Sequence, residues 1–171
     1  MKPRGQRAIR VKRRGSSGFS LIELLIVVAI ILIIAAIAIP NFLRARISAN
    51  EAAAVTACRK IVTAEVVYST IYGRGFSPDL SSLGPPPAGT QANINRAGLL
   101  DELLTGGQKH GYLFTYGPVD ANGDGIPEAF TINADPVIVG QSGNRHFYID
   151  QTGVVRQKTG AAAGPGDPPI G

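Results

Sequence analysis

Glu23 is a lone carboxylate at the head of an uncharged apolar run, Leu24 to Ile39, that closes at Pro40. A charged side chain in a bilayer costs about 2.5–3.5 kcal/mol at the helix centre on insertion scales, and less near the interface. A segment that only anchored the chain would gain by losing it. The economical chemistry is ion pairing: Glu23 meets a cation once the helix has left the lipid. As a helix N-terminal acid it also complements the macrodipole, which does not account for its place in an apolar segment.

The second constellation is Asp120-Ala121-Asn122-Gly123-Asp124-Gly125. Alternating oxygen ligands followed by glycine are how a calcium loop begins. The twelfth position is Thr131 rather than a bidentate acid, and Glu128 is the nearest substitute. Asn-Gly and Asp-Gly are equally the residues of a polar hairpin turn, and that reading is preferred: no cofactor is expected, with calcium at Asp120, Asn122, Asp124 and Glu128 as the alternative. Cys58 is the sole cysteine, so no intramolecular disulfide forms; on a helix stripe it reads as a small core residue. His110 and His146 stand alone near strand ends. Phe42, Tyr68 and Tyr72 lie along a helix and read as packing against neighbouring subunits. No nucleophile elbow, metal-ligand cluster or phosphate-cradling loop is recognisable, and the chain is not read as an enzyme.

Of the seventeen Lys and Arg residues, seven (Lys2, Arg4, Arg7, Arg10, Lys12, Arg13 and Arg14) precede Gly18, which leaves ten against twelve Asp and Glu. The basic excess is therefore a leader that holds its side of the membrane under the positive-inside rule. It is not a basic face, so no nucleic-acid partner is expected.

Gly18-Phe19-Ser20-Leu21-Ile22-Glu23-Leu24-Leu25, behind that basic leader, resembles the class III signal of type IV pilins and type II secretion pseudopilins. The resemblance covers about Gly18 to Arg46, including Pro40 where many pilins have a helix proline. It implies that a prepilin peptidase cuts after Gly18 and that the new N-terminal Phe19 is N-methylated. It also implies that Glu23, fifth after the cut, serves assembly against the Phe19 amine of a neighbour. Many type IV pilins staple the C-terminal loop with a disulfide, and this chain departs from that. The implied function is a structural subunit of a pilus-like filament. The alternative is a pseudopilin of a type II secretion system, which the N-terminal segment does not separate. A third reading is a soluble periplasmic protein released by cleavage after Ala36-Ile37-Ala38, though its apolar stretch would be long for a signal peptide and would contain an acid.

These residues must be positioned by few elements. Phe19 to Ile39 is 21 residues, about 32 Å as a helix, close to a hydrocarbon core of about 30 Å. Pro40 removes one N–H and should kink the helix or melt a turn. Helix resumes from Asn41 to about Tyr72, with Val55, Cys58, Ile61, Val62 and Val66 as an amphipathic stripe, and ends at Gly73 and Gly75. A short helix is expected at Leu99–Leu104. Strands are expected at Tyr112–Tyr116, Ala129–Ala134 and His146–Asp150, with Gly153–Arg156 pairing to the last through a turn at Gln151-Thr152. The sheet should have one face on the helix and the other in water.

The expected fold is α+β and pilin-like: a long N-terminal helix, half transmembrane and half amphipathic, on a small antiparallel sheet. The expected division is a leader at 1–18, a membrane and assembly helix at 19–40, a periplasmic or extracellular head at 41–158 and a disordered tail at 159–171. The expected partners are further copies in a helical filament, a prepilin peptidase and methyltransferase, an assembly platform and the inner membrane. The chain would cross the inner membrane once before assembly and afterwards lie at the cell surface or in a periplasmic pseudopilus.

Overall fold

The computed structural model describes residues 18–170; the basic leader lies outside them. The chain divides into two units, Met1–Pro40 and Asn41–Gly171.

Helix α1 runs from Leu21 to Tyr72, with Pro40 inside it. The helix continues through Pro40, so the melted turn expected there is absent. In the first unit α1 is apolar all round, and its side chains from Leu21 to Ile39 are exposed except for half-buried Ala35. In the second unit it is one-sided. Glu51, Ala54, Ala57, Cys58, Ile61, Ala64, Glu65 and Tyr68 face inward at three- and four-residue steps, the period of a single helix face.

That stripe corrects the one expected from apolar residues alone. Cys58 and Ile61 are buried, but Val66 is 53% exposed and Val55 and Val62 sit at the margin. Two of the central positions belong to glutamates, which a search for apolar spacing passes over. Tyr68 also points into its own head, 2% exposed, with its hydroxyl donating to the Ile94 carbonyl at 2.9 Å. It is not available to a neighbouring subunit.

α1 stops where Gly73 takes a positive φ of 62°, the left-handed geometry that closes a helix. A single 3₁₀ turn follows at Leu80–Leu83, capped by the Asp79 side chain. Helix α2 is one turn, Glu102–Thr105, and begins later than the leucine pattern suggests because Asp101 is its N-cap, accepting the Leu104 N–H at 3.1 Å.

The sheet is an antiparallel meander in the order β1-β2-β3-β4-β5: Gln108–Lys109, Tyr112–Val119, Ala129–Pro136, Arg145–Asp150 and Arg156–Thr159. β1 was not expected. Its two residues are too few for a pattern, and it exists through the turn His110-Gly111, both at positive φ, the signature of a tight hairpin. Phe114 pairs with Ala134, Ile132 with Ile149 and Ala134 with Phe147. These residues share one face with Tyr112 and Phe130 and form one core with the inward residues of α1. Each buried Phe or Ile contributes about 1.5–3 kcal/mol relative to exposure.

Two expectations fail at the C-terminal edge. β5 starts at Arg156 rather than running from Gly153 to Arg156. The tail expected to be disordered is docked as far as it is described. Gln157 N–H donates to the Pro168 carbonyl at 3.0 Å and Ile170 N–H to Val155 at 2.9 Å. Arg156 donates to the Asp167 carbonyl at 2.9 Å. Asn133, on the outer face of β3, donates to the Ala163 carbonyl at 2.8 Å. Tyr148, opposite Asn133, is only 7% exposed, so that face is partly covered rather than wet. A Gly- and Pro-rich composition lowers apolar content, but it leaves backbone groups that a sheet edge can satisfy.

Candidate functional site

The N-terminal site is local. Ser20 is the residue before α1, and its carbonyl accepts the Leu24 N–H at 3.2 Å. Its own N–H donates to Glu23 Oε2 at 3.1 Å. This is half of a capping box: the acid three residues into the helix reaches back to the cap's backbone donor. Glu23 therefore points toward the N-terminal end of α1, one residue from the Phe19 backbone nitrogen. Phe19 itself is 73% exposed. Among the described residues nothing lies within 4 Å of the point where a Cβ on Gly18 would stand, so their packing does not require glycine there. Pro40 is exposed on α1.

The structure brings the acidic constellation together in the β2–β3 loop. The carboxylates of Asp120, Asp124 and Glu128 lie within 4.8 Å of one another, all exposed. Their oxygens already serve the loop. Asp120 accepts the N–H groups of Gly123 and Gly125 at 2.7 and 2.8 Å. Asp124 accepts that of Ile126 at 2.8 Å, and Glu128 that of Ala121 at 2.8 Å. The Asn122 amide spends its oxygen on the Asp124 N–H and its nitrogen on the Asp124 carboxylate. The donor set has the chemistry of a hard-cation site, and the loop closes on itself with the same atoms.

Three polar clusters were not foreseen. Glu51 accepts the backbone N–H groups of Asn144 and Arg145 at 2.9 and 3.2 Å and Arg145 Nε at 2.7 Å, while Arg145 also donates to Gln157. Burial pushes the Glu51 carboxyl up, but these donors together hold it below the usual range. Glu65, fully buried, accepts both the N–H and the hydroxyl of Ser77. Burial dominates there and raises its pKa, with Ser77 and Tyr116 only partly offsetting it. His146 is not alone: its Nδ1 lies 2.6 Å from Asp135 Oδ1. Cys58 is fully buried, and burial drives its thiol up to about 12, so it is inert rather than reactive. The signal that could have found the glutamates was their place in the 51-54-58-61-65-68 spacing.

A helix apolar on every side and uncovered, joined to a head that closes its own core, defines a protein whose N-terminal segment is built for a nonaqueous surrounding. Contiguous exposed apolar surface on that scale marks a membrane or protein contact, and α1 is long and apolar enough to cross a bilayer. Residues 13–39 match the family described as the prokaryotic N-terminal methylation motif. The chain is 63% identical over 38 residues to the type IV wide pilus major component PilA4 of Thermus thermophilus, covering 22% of this chain and 29% of the relative. It is 52% identical over 70 residues to the type IV major pilin protein PilA of Myxococcus xanthus, covering 36% of this chain and 32% of the relative. The chain thus spans about a third of the length of the curated relatives it matches. The likeness is to an N-terminal methylation motif and to part of two pilus proteins.

Proposed function

We propose that this chain is a non-enzymatic structural subunit of a type IV pilus-like filament. It enters the inner membrane as a precursor, with its basic leader on the cytoplasmic side. A prepilin peptidase cuts after Gly18 and the Phe19 amine is methylated. An assembly platform then draws the subunit into a helical filament at the cell surface. Apolar helices exchange lipid for one another, and Glu23 of one subunit takes the Phe19 amine of the next.

The observation that carries this reading is the uncovered apolar surface of α1 from Leu21 to Ile39 beside a head with a closed core. Burial of such side chains is worth about 1.5–3 kcal/mol each, so the segment must be covered by lipid or by other helices. Glu23 adds specificity: an unpaired charge in an apolar core is strongly penalised, and its cationic partner removes that penalty. The glycine at position 18, which packing among the described residues leaves unconstrained, suits a scissile site that admits only a small residue. The names of the two relatives, both pilus components, favour a pilus over a type II secretion pseudopilus. Imaging of surface fibres in a deletion strain tests that choice, with fibres expected to disappear. The acidic loop belongs to this reading as a self-satisfied hairpin without a cation.

Gly18→Val tests processing. The expected result is an uncleaved precursor retained in the membrane and no filament. Normal cleavage of that variant contradicts the assignment of Gly18.

A further inference from the structure

The two ends of the head, residues 41–170, differ in charge and in apolar exposure. In a meander the β2–β3 and β3–β4 loops leave opposite ends of β3, whose eight residues span about 26 Å. The β2–β3 loop carries the exposed carboxylates of Asp120, Asp124 and Glu128. The β3–β4 loop lies beside the first turns of the head's part of α1, where Asn50 donates to the Ser142 carbonyl at 2.9 Å. Exposed Arg46 lines one cavity with Val137 and Ile138, and among the described residues those lining it include no acid.

The β3–β4 loop has the surface of a segment that meets an apolar medium. Val137, Ile138 and Val139 are consecutive and 49, 51 and 57% exposed, and Gly140 to Gly143 add no charge. Its backbone donors are paired inside the protein. Val137 N–H donates to the Gly111 carbonyl at 2.9 Å and Gly140 N–H to that of Gly143 at 3.0 Å. The Gln141 and Ser142 N–H groups both reach the Ile138 carbonyl, at 3.1 and 2.9 Å. Ile138 N–H donates to the Ser142 hydroxyl oxygen at 3.0 Å. Backbone groups already paired can leave water without the penalty of an unmet hydrogen bond.

The chain itself says which medium is within reach. Six residues separate Arg46 from Pro40, where the apolar run closes. They span about 9 Å as helix and about 22 Å fully extended. The tether alone keeps this end of the head at the bilayer surface. Within it Phe42 and Leu43 are 68 and 49% exposed, and exposed Arg44 follows. Aromatic and basic residues just beyond an apolar span are those that settle at the headgroup level. No acid occurs between Glu23 and Glu51, so the end of the head nearest the span is cationic.

We infer that, in the membrane-anchored subunit, the Val137–Val139 loop inserts at the headgroup–acyl boundary of the leaflet from which the head emerges, with Arg44 and Arg46 on lipid phosphates. This rests on the membrane-entry step of the proposed function. The partner is a lipid surface, held by apolar insertion together with attraction to anionic headgroups. Drawing the subunit into a filament then strips this loop from lipid as well as the helix.

The test uses the full chain in vesicles of phosphatidylethanolamine and phosphatidylglycerol. The chain has no tryptophan, so Ile138→Trp and, in the β2–β3 loop, Ala121→Trp each report one position. Lipids brominated in their acyl chains should quench Ile138→Trp several-fold more than Ala121→Trp. Equal quenching of the two, or none of either, overturns the contact. Alkaline extraction separates this from the membrane reading: a chain stripped from the vesicles sinks both, and a retained chain whose Ile138→Trp stays unquenched sinks the contact alone. Arg44→Glu with Arg46→Glu should lower the quenching of Ile138→Trp, and so should replacing phosphatidylglycerol by phosphatidylcholine. Quenching that neither change lowers overturns the role of the two arginines.

Discussion

The two regions of this chain solve opposite problems with one helix. From Leu21 to Ile39 nearly every side chain is apolar and all but half-buried Ala35 are exposed, and the one charge, Glu23, stands at the end. From Glu51 to Tyr68 the same helix buries a narrow face of alanine, cysteine, isoleucine and tyrosine, and places two glutamates within that face. In the head each buried glutamate has its donors in the same chain. In the N-terminal segment the donor to Glu23 among the described residues is a backbone one, Ser20 N–H. The buried carboxylates of the head are thus held by folding contacts, whereas the proposed role of Glu23 places its partner on another copy.

The largest expected effect breaks the comparison at Glu23. Glu23→Ala should enter the membrane at least as well as wild type and be cleaved normally, yet give almost no filament, because each incoming amine loses its carboxylate. Glu23→Gln separates charge from hydrogen bonding: failure to assemble makes the ionic part decisive, and normal assembly makes a hydrogen bond sufficient. Wild-type filament yield from the Ala variant, counted by electron microscopy, contradicts the pairing.

A deletion tests the other region. A fragment beginning at Ile47 should be soluble, monomeric and folded by circular dichroism, since the head core draws on α1 only from Glu51 onward. An unfolded fragment would mean that the two regions are not separable.

Smaller effects distinguish the two buried glutamates within that fragment. Glu51 is held below the ordinary carboxylate range, so its stabilisation is present above that range and lost as pH falls through its lowered folded value. Glu51→Gln should therefore destabilise at neutral pH by about 1.5–3 kcal/mol, the worth of hydrogen bonds to a charged group, and by less in acid. Glu65 is raised by burial, so its contribution is present in acid and lost as pH rises through its raised folded value. Glu65→Gln should flatten that decline. Thermal melts across the acid-to-neutral range measure both, and identical pH profiles for the two variants contradict the opposite assignments.

The smallest expected effect is none at all. Millimolar calcium should leave the melting of the fragment unchanged, because the oxygens of Asp120, Asp124 and Glu128 already serve the loop's own N–H groups. Stabilisation near about 2.7 kcal/mol, as expected at a hundredfold excess over the dissociation constant, would restore the cation reading.

Much of this was legible from residue type and spacing, unevenly so. The apolar run, its glutamate and the strands at Tyr112, Ala129 and His146 carry strong periodic or compositional signals. β1 was not legible because two residues hold no period. The true stripe on α1 was displaced because Glu51 and Glu65 occupy core positions and owe their place to Arg145 and Ser77, 94 and 12 residues away. The docked tail was missed because its partners are backbone groups of Val155 and Gln157, the Arg156 guanidinium and an amide on β3, which composition does not record. The N-terminal motif is the most legible, since it is contiguous and needs no tertiary contact to be recognised.

The central claim is that the chain reaches its filament as a processed subunit beginning at Phe19. Intact mass and N-terminal fragmentation of the protein from purified surface filaments test it most directly. The account predicts a chain that starts at Phe19 and carries one added methyl group on its amine. A start at Met1, or at Ile39 after signal peptidase cleavage, would contradict it.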